Sequence, residues 1–198
     1  GKTGMGKSTM LENMIVQDIK AGEGICVIDP HGDLAEQLIH FIPKERISET
    51  IYFNPGDTAY PIAFNVLETG SHEEKQLVAS GLVLVFKKLW ADSWGPRLEY
   101  VLRHAILALL DYPESTLLGV MKILVDEAYR RRVIEKIQDP MVKSFWQDEF
   151  SNYPDRFMAK AVAPIQNKVG QFLSNSLIRN ILGQPQSSFN LRQVMDEK

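Results

Sequence analysis

Gly1-Lys2-Thr3-Gly4-Met5-Gly6-Lys7-Ser8-Thr9 begins the chain, and the reading of everything after it turns on this stretch. It fits G-x-x-x-x-G-K-[ST] through Gly1, Gly6, Lys7 and Ser8, the spacing of a phosphate-binding loop. Glycines at 1, 4 and 6 let the backbone turn sharply and approach a ligand closely. Successive N–H groups then form an anion nest, and the helix that follows adds its positive N-terminal dipole. On this reading Gly4, Met5, Gly6, Lys7, Ser8 and Thr9 are the candidate nucleotide-binding residues. Lys7 neutralises the β- and γ-phosphates, Ser8 ligates Mg²⁺ through its hydroxyl, and Thr9 serves the α-phosphate side. The cofactors expected are therefore ATP and Mg²⁺. Such a loop normally follows a buried strand, and none precedes Gly1, so the reading expects a truncated piece of a longer protein.

The flanking sequence suits that motif. Met10, Leu11, Met14, Ile15 and Ile19 recur at helical spacing, and Ala21 to Gly24 stops the helix. Ile25-Cys26-Val27-Ile28 is an apolar run of strand length closed by Asp29-Pro30, as in a parallel strand buried on both faces. A helix from Asp33 to Ile42 and a second strand over Thr50–Phe53 follow. The order predicts the start of a βαβ unit and an α/β fold. Asp29, His31 and Asp33 then lie in the loop leaving the first strand, where ligands bind in open α/β sheets. Asp33 has a second reading as the cap of the following helix, with Glu36 completing a capping box.

From Ser71 the pattern becomes helical. Ser71 and Glu74 make a capping box for a helix running to about Trp90. Gly95-Pro96 breaks and restarts the chain. Leu98, Val101, Leu102, Ala105, Ile106, Leu109 and Leu110 then form one apolar stripe, with Arg97, Glu99, Arg103 and His104 off it. Shorter helices are expected at 117–124, 126–137 and 141–150. The organisation expected is a core part at 1–70, an all-α insert at 71–165 and a return to the core at 166–198.

Composition narrows the function classes. The 198 residues are 44% hydrophobic and 24% charged, which describes a globular chain. Residues 1–70 hold 5 basic and 10 acidic side chains, residues 71–165 hold 13 of each, and residues 166–198 hold 4 and 2. No bulk basic footprint for nucleic acid exists, so any DNA contact needs local arrangement or a ring of subunits. Arg130-Arg131-Arg132 reads as a solvated helix face. No apolar run reaches bilayer length. Cys26 reads as a small buried apolar residue. Trp90, Trp94, Phe145 and Trp146 read as core anchors rather than base-stacking platforms. His40, His72 and His104 lack partners at metal-ligand spacing.

Several stretches in order carry a family resemblance: GKTGMGKST at 1–9, CVIDPHGDLAEQLI at 26–39, PIAFNVLE at 61–68, SWGPRLEYVLRHAILAL at 93–109 and PIQNKVGQFL at 164–173. Together they resemble the HerA–FtsK superfamily of ATP-driven DNA pumps, most closely the TraG/TraD-type conjugative coupling proteins of type IV secretion. The resemblance implies a RecA-like P-loop NTPase core, here truncated, with an all-α insertion. It implies subunits arranged as a homo-oligomeric ring, a hexamer, around DNA, with ATP bound between neighbours. It also implies a place in conjugation or secretion machinery. It puts this domain in the cytoplasm and leaves an inner-membrane anchor elsewhere in the full-length protein open. Lys7 and Asp29 carry over as the candidate catalytic residues, and Arg179 as a charge that reaches a neighbour's phosphate or else serves a helix C-terminus.

One departure stands out. The family's hydrolysis uses a later strand ending in Asp-Glu. Leu124-Val125-Asp126-Glu127 has those letters but reads as consecutive helices. With that strand missing, the chain alone is expected to be poorly stable and to hydrolyse ATP negligibly. Two other readings stay open beside the motor: a P-loop kinase acting on a small molecule, and a non-hydrolysing nucleotide-binding scaffold.

Overall fold

In the computed structural model, residues 6–69 and 71–196 are described, apart from the side chains of Lys7 and His72. All regular structure among them is helical: α1 (Lys7–Ala21), α2 (Asp33–Ile39), α3 (His72–Leu89), α4 (Pro96–Leu110), α5 (Gly119–Val125), α6 (Glu127–Lys136), α7 (Pro140–Ser144), α8 (Asp155–Ser174), α9 (Ser176–Leu182) and α10 (Leu191–Asp196). The α/β expectation, and with it the truncated RecA-like P-loop core, is overturned: no strand and no sheet form among the described residues.

Both expected strands are irregular segments. Ile25, Val27, Ile28, Ile51, Tyr52 and Phe53 are all exposed, Ile28 at 87%. Cys26, expected to be buried, is exposed as well. The physical reason is non-local. A helix closes its hydrogen bonds within its own segment, whereas a strand needs a ladder partner. Neither apolar run finds a ladder among the described residues.

The chain divides into two compact units, Gly1–Phe53 with Asn190–Lys198, and Asn54–Phe189. These boundaries fall at 53/54 and 189/190, where the sequence pattern placed its changes at 70/71 and 165/166. In the first unit α1 packs on α2. Arg46, in the 3₁₀ segment Lys44–Glu49, donates to the carbonyls of Ile19 (2.9 Å) and Glu23 (3.1 Å), closing the C-terminal end of α1. Leu38 is the one fully buried hydrophobic side chain among this unit's described residues.

The second unit is built around α4. Every residue of its apolar stripe is buried, and Ala108 joins them. Helices α3, α5, α6, α7 and α8 all pack against it. Ala79, Val83 and Phe86 come from α3, and Ala161, Val162, Ile165, Val169 and Leu173 from α8. Ser71 caps α3 by accepting from the Glu74 N–H at 3.3 Å, and Pro96 opens α4, both at the expected positions. A π-helical turn at Phe145–Glu149 drives Phe145 and Trp146 into the core. Trp146 is fully buried and its Nε1 donates to the His104 carbonyl at 3.3 Å. Trp90 stacks on Phe86 with centroids 5.7 Å apart. These aromatics are therefore core anchors, as read from the sequence.

The core is closed by a junction of two stretches far apart in the chain. Asn65, 6% exposed, donates through Nδ2 to the carbonyls of Ser115 (2.9 Å) and Pro185 (2.8 Å) and accepts from the Leu67 N–H at 3.0 Å. The Ala63 and Asn65 N–H groups go to the hydroxyls of Ser188 and Ser187, and the Phe64 ring stacks on Phe189 at 5.6 Å.

Candidate functional site

The start of α1 is where the sequence reading places the phosphate contacts. Gly6 is the N-cap and sits at φ +71°, ψ 11°, left-handed backbone that glycine adopts without steric cost. It turns the chain into the fifteen residues of α1, whose first intrahelical bond runs from the Met10 N–H to the Gly6 carbonyl at 2.9 Å. Among the described residues no side chain caps this end, and no acidic residue lies in the first turn. The N–H groups of that turn therefore point outward under a positive helix dipole. Ser8 and Thr9 are exposed there. Gly4 and Met5, and the side chain of Lys7, lie outside the described residues. A hydroxyl pair, uncapped N–H groups and no competing carboxylate fit a phosphate group with a hydrated Mg²⁺.

Asp29 has a different occupation. Its Oδ1 accepts from the His31 N–H at 3.1 Å, and its Oδ2 accepts from the N–H groups of Leu34 (2.9 Å) and Ala35 (3.2 Å). These bonds hold its carboxyl below the usual range, the one from His31 contributing most. Asp29 thus caps α2 from a distance. The N-cap position itself is Gly32, and the capping box proposed for Asp33 and Glu36 does not form. Among the described residues the hydrogen bonds of Asp29 go to its own loop and α2, and none to α1. Asp33 lines a shallow hollow of about 330 Å³ with Glu36, Gln37 and His40. Its carboxylates would repel a phosphate. His31 is exposed.

Two of the arginines singled out in the sequence, Arg179 and Arg130, cap helix ends. Arg179 donates through Nη1 to the carbonyls of Leu173 (3.2 Å) and Ser174 (3.3 Å) at the end of α8. Arg130 donates to the Ile123 carbonyl at the end of α5 (2.9 Å) and lies over the Phe150 ring at 5.3 Å. Arg131 pairs with Glu127 at 2.6 Å on the surface. Leu124-Val125-Asp126-Glu127 spans the junction of α5 and α6, where Asp126 caps α6 by accepting from the Tyr129 N–H at 2.9 Å. This segment is not a strand, so it supplies no Mg²⁺-binding carboxylate at a sheet edge. Among the described residues no cluster of three His, Cys, Asp or Glu is placed to hold a metal, and no helix is long and apolar enough to cross a membrane.

The sequence reading missed two features. One is the Asn65 junction, whose partners lie 50 to 120 residues away. The other is the polar cluster around Glu149. That carboxylate accepts from the hydroxyls of Tyr100 (2.9 Å) and Tyr153 (2.6 Å), and burial first, then the bond to Glu149, pushes the Tyr153 phenol upward. Beside it His104 stacks on Phe145 at 4.1 Å, and burial pulls its imidazole down. The hydroxyls and the imidazole are engaged with their own neighbours here.

No protein-family model, curated protein or solved structure matches this chain.

Proposed function

We propose that this chain binds the phosphates of ATP, with Mg²⁺, at the N-terminus of α1. We propose further that it belongs to a ring-forming DNA-translocating ATPase, a hexameric pump of conjugative transfer or type IV secretion working on the cytoplasmic side. The observation that carries the binding reading is Gly6: its left-handed backbone leads into a helix start that, among the described residues, has no side-chain cap and no acidic residue in its first turn. Gly4, Met5, Gly6, Lys7, Ser8 and Thr9 would hold the nucleotide, and Ser8 would ligate the metal. The motor reading rests on the ordered stretches of sequence that resemble the DNA pumps.

Binding without turnover is the behaviour expected of this chain alone. The Asp29 carboxylate is occupied by three backbone N–H groups, and Lys7 is left as the other candidate catalytic residue. When bound, ATP supplies the phosphoryl group. The residues named here orient and neutralise it.

The test is titration of a fluorescent ATP analogue with Mg²⁺ into the wild-type chain and Lys7→Ala. Saturable binding that weakens at least about tenfold in Lys7→Ala is expected, as for loss of a charge-assisted contact. Equal binding by both proteins sinks the phosphate-loop reading. DNA-stimulated turnover by a longer protein containing this chain supports the motor, whereas turnover on a small-molecule acceptor without DNA favours a kinase.

A further inference from the structure

The three consecutive arginines of α6 have three different surroundings. Arg130 turns inward, to the Ile123 carbonyl and the Phe150 ring. Arg131 pairs with Glu127 at 2.6 Å. Arg132 lies over the Tyr129 ring, its guanidinium carbon 5.8 Å from the centroid. Lys122, in the last turn of α5, brings its ammonium to the same ring, also at 5.8 Å. Lys136 follows Arg132 by one turn on the same helix face. Lys122, Arg132 and Lys136 are all exposed, and none of them makes an ion pair among the described residues.

The carboxylates of this helix leave those charges standing. Glu127 is held by Arg131, and Asp126 accepts from the Tyr129 N–H. Glu135 is exposed and pairs with none of the three cations. The Tyr129 ring is half-buried and meets Tyr112 edge-on at 5.6 Å, so packing fixes it. Its face attracts both cations and holds their long side chains without cancelling their charge. Side chains ordered in advance lose less entropy when an anion arrives.

We propose that this surface, Lys122, Arg132 and Lys136 around Tyr129, binds the phosphate backbone of nucleic acid. The choice of polyanion rests on the DNA-pump reading above. The surface is the local arrangement that a chain of net charge −3 needs for such a contact. Arg132 and Lys136 stand about 6 Å apart along the helix axis. A nucleic-acid strand carries one charge per about 3.4 Å of rise, so nearby phosphates reach both. Arg132 offers a phosphate two parallel N–H donors, and the lysines act as point charges. Phosphate contacts carry no sequence information, so binding is independent of sequence. Three contacts make the affinity of one copy weak and strongly salt-dependent, and a ring would repeat the surface in every subunit.

The experiment is fluorescence anisotropy of a labelled oligothymidylate titrated with the full chain, without ATP, from about 20 to about 200 mM salt. Wild type should bind with a log–log salt slope of about −2, as for three contacts to a single strand. Lys122→Gln and Arg132→Gln should each weaken binding about fivefold and flatten the slope by about 0.7. Lys88→Gln removes the same charge from the exposed surface of α3 and should bind like wild type. Glu135→Gln removes a carboxylate beside the surface and should tighten binding, an effect that misfolding does not mimic. Three outcomes overturn the proposal: no binding by wild type at the lowest salt, a Lys88→Gln loss equal to that of Lys122→Gln and Arg132→Gln, or polyglutamate displacing the label as well as unlabelled oligothymidylate, which would assign the surface to an acidic protein. Lys7→Ala should bind the oligonucleotide like wild type, so this test and the nucleotide test fail separately. In a longer protein containing this chain, DNA-stimulated turnover that survives Lys122→Gln and Arg132→Gln would sink the surface and keep the motor. Oligonucleotide binding by the surface with no stimulation of turnover would sink the motor alone.

Discussion

At the scale of single residues, two side chains that the sequence marked for chemistry, Asp29 and Arg179, are engaged in closing backbone, and Arg46 and Arg130 do the same. Asp29, Arg46, Arg130 and Arg179 each satisfy N–H or carbonyl groups that a helix end leaves unpaired. The cost of leaving such groups unmet explains why charged side chains near helix ends go there first. Asp29 makes this testable through pH. Its folded carboxyl lies below the ordinary range. Its contribution to α2 is therefore fully present above the unfolded value and is lost as pH falls through the lower folded value. Hydrogen exchange of the Leu34 and Ala35 amides should accelerate in Asp29→Ala relative to wild type at neutral pH. The difference should vanish once the carboxyl is protonated in acid. Unchanged protection of both amides at neutral pH would remove the capping role.

At the scale of elements, helix starts and stops follow local chemistry. Ser71, Pro96, Asp126, Asp139 and Asn175 open helices by capping or by a preset φ. Several of these boundaries are readable from the sequence. Others depend on neighbours. Gly183 ends α9, and a Cβ there would come within 2.5 Å of the Arg179 carbonyl oxygen and 2.9 Å of a Leu118 methyl. The backbone oxygen cannot move away without breaking the last turn, whose Gly183 N–H donates to it at 2.9 Å. Gly183→Ala should destabilise the second unit by about 1–3 kcal/mol, the range for overpacking. Urea unfolding would read this as a lower midpoint at an unchanged slope, and an unchanged midpoint would show that the turn accommodates the methyl.

At the scale of the whole chain, the two units differ in what holds them. The second encloses a continuous core from Leu67 to Leu173, including a fully buried tryptophan and several leucines and isoleucines. The first encloses Leu38 alone among its described residues. Ordering each residue costs about 1–2 kcal/mol of backbone entropy, which buried apolar area must offset. Local opening should therefore be frequent in the first unit and rare in the second. Limited trypsin digestion should cut at Lys20, Lys44 and Arg46 well before Arg97, Arg103 or Arg130, leaving a protected fragment close to residues 54–189. Cleavage at comparable rates in both units would contradict this difference.

The sequence by itself determined whatever depends on near neighbours. The stripe of α4, the Ser71 cap, the Pro96 start and the reading of 124–127 as consecutive helices rather than a strand all follow from spacing within one or two turns. Those interactions are local, and the structure carries each of them. The glycine motif is equally local, and its Gly6 turn into α1 is in place. Only the tertiary structure decided the rest. Whether Ile25–Ile28 and Thr50–Phe53 become strands depends on ladder partners outside those segments, and among the described residues they have none. Asn65 gives no local sign that it will hold Ser115 and Pro185 together. Asp29 is as well suited to a nucleotide site as to a helix cap until the N–H groups that reach it first are known.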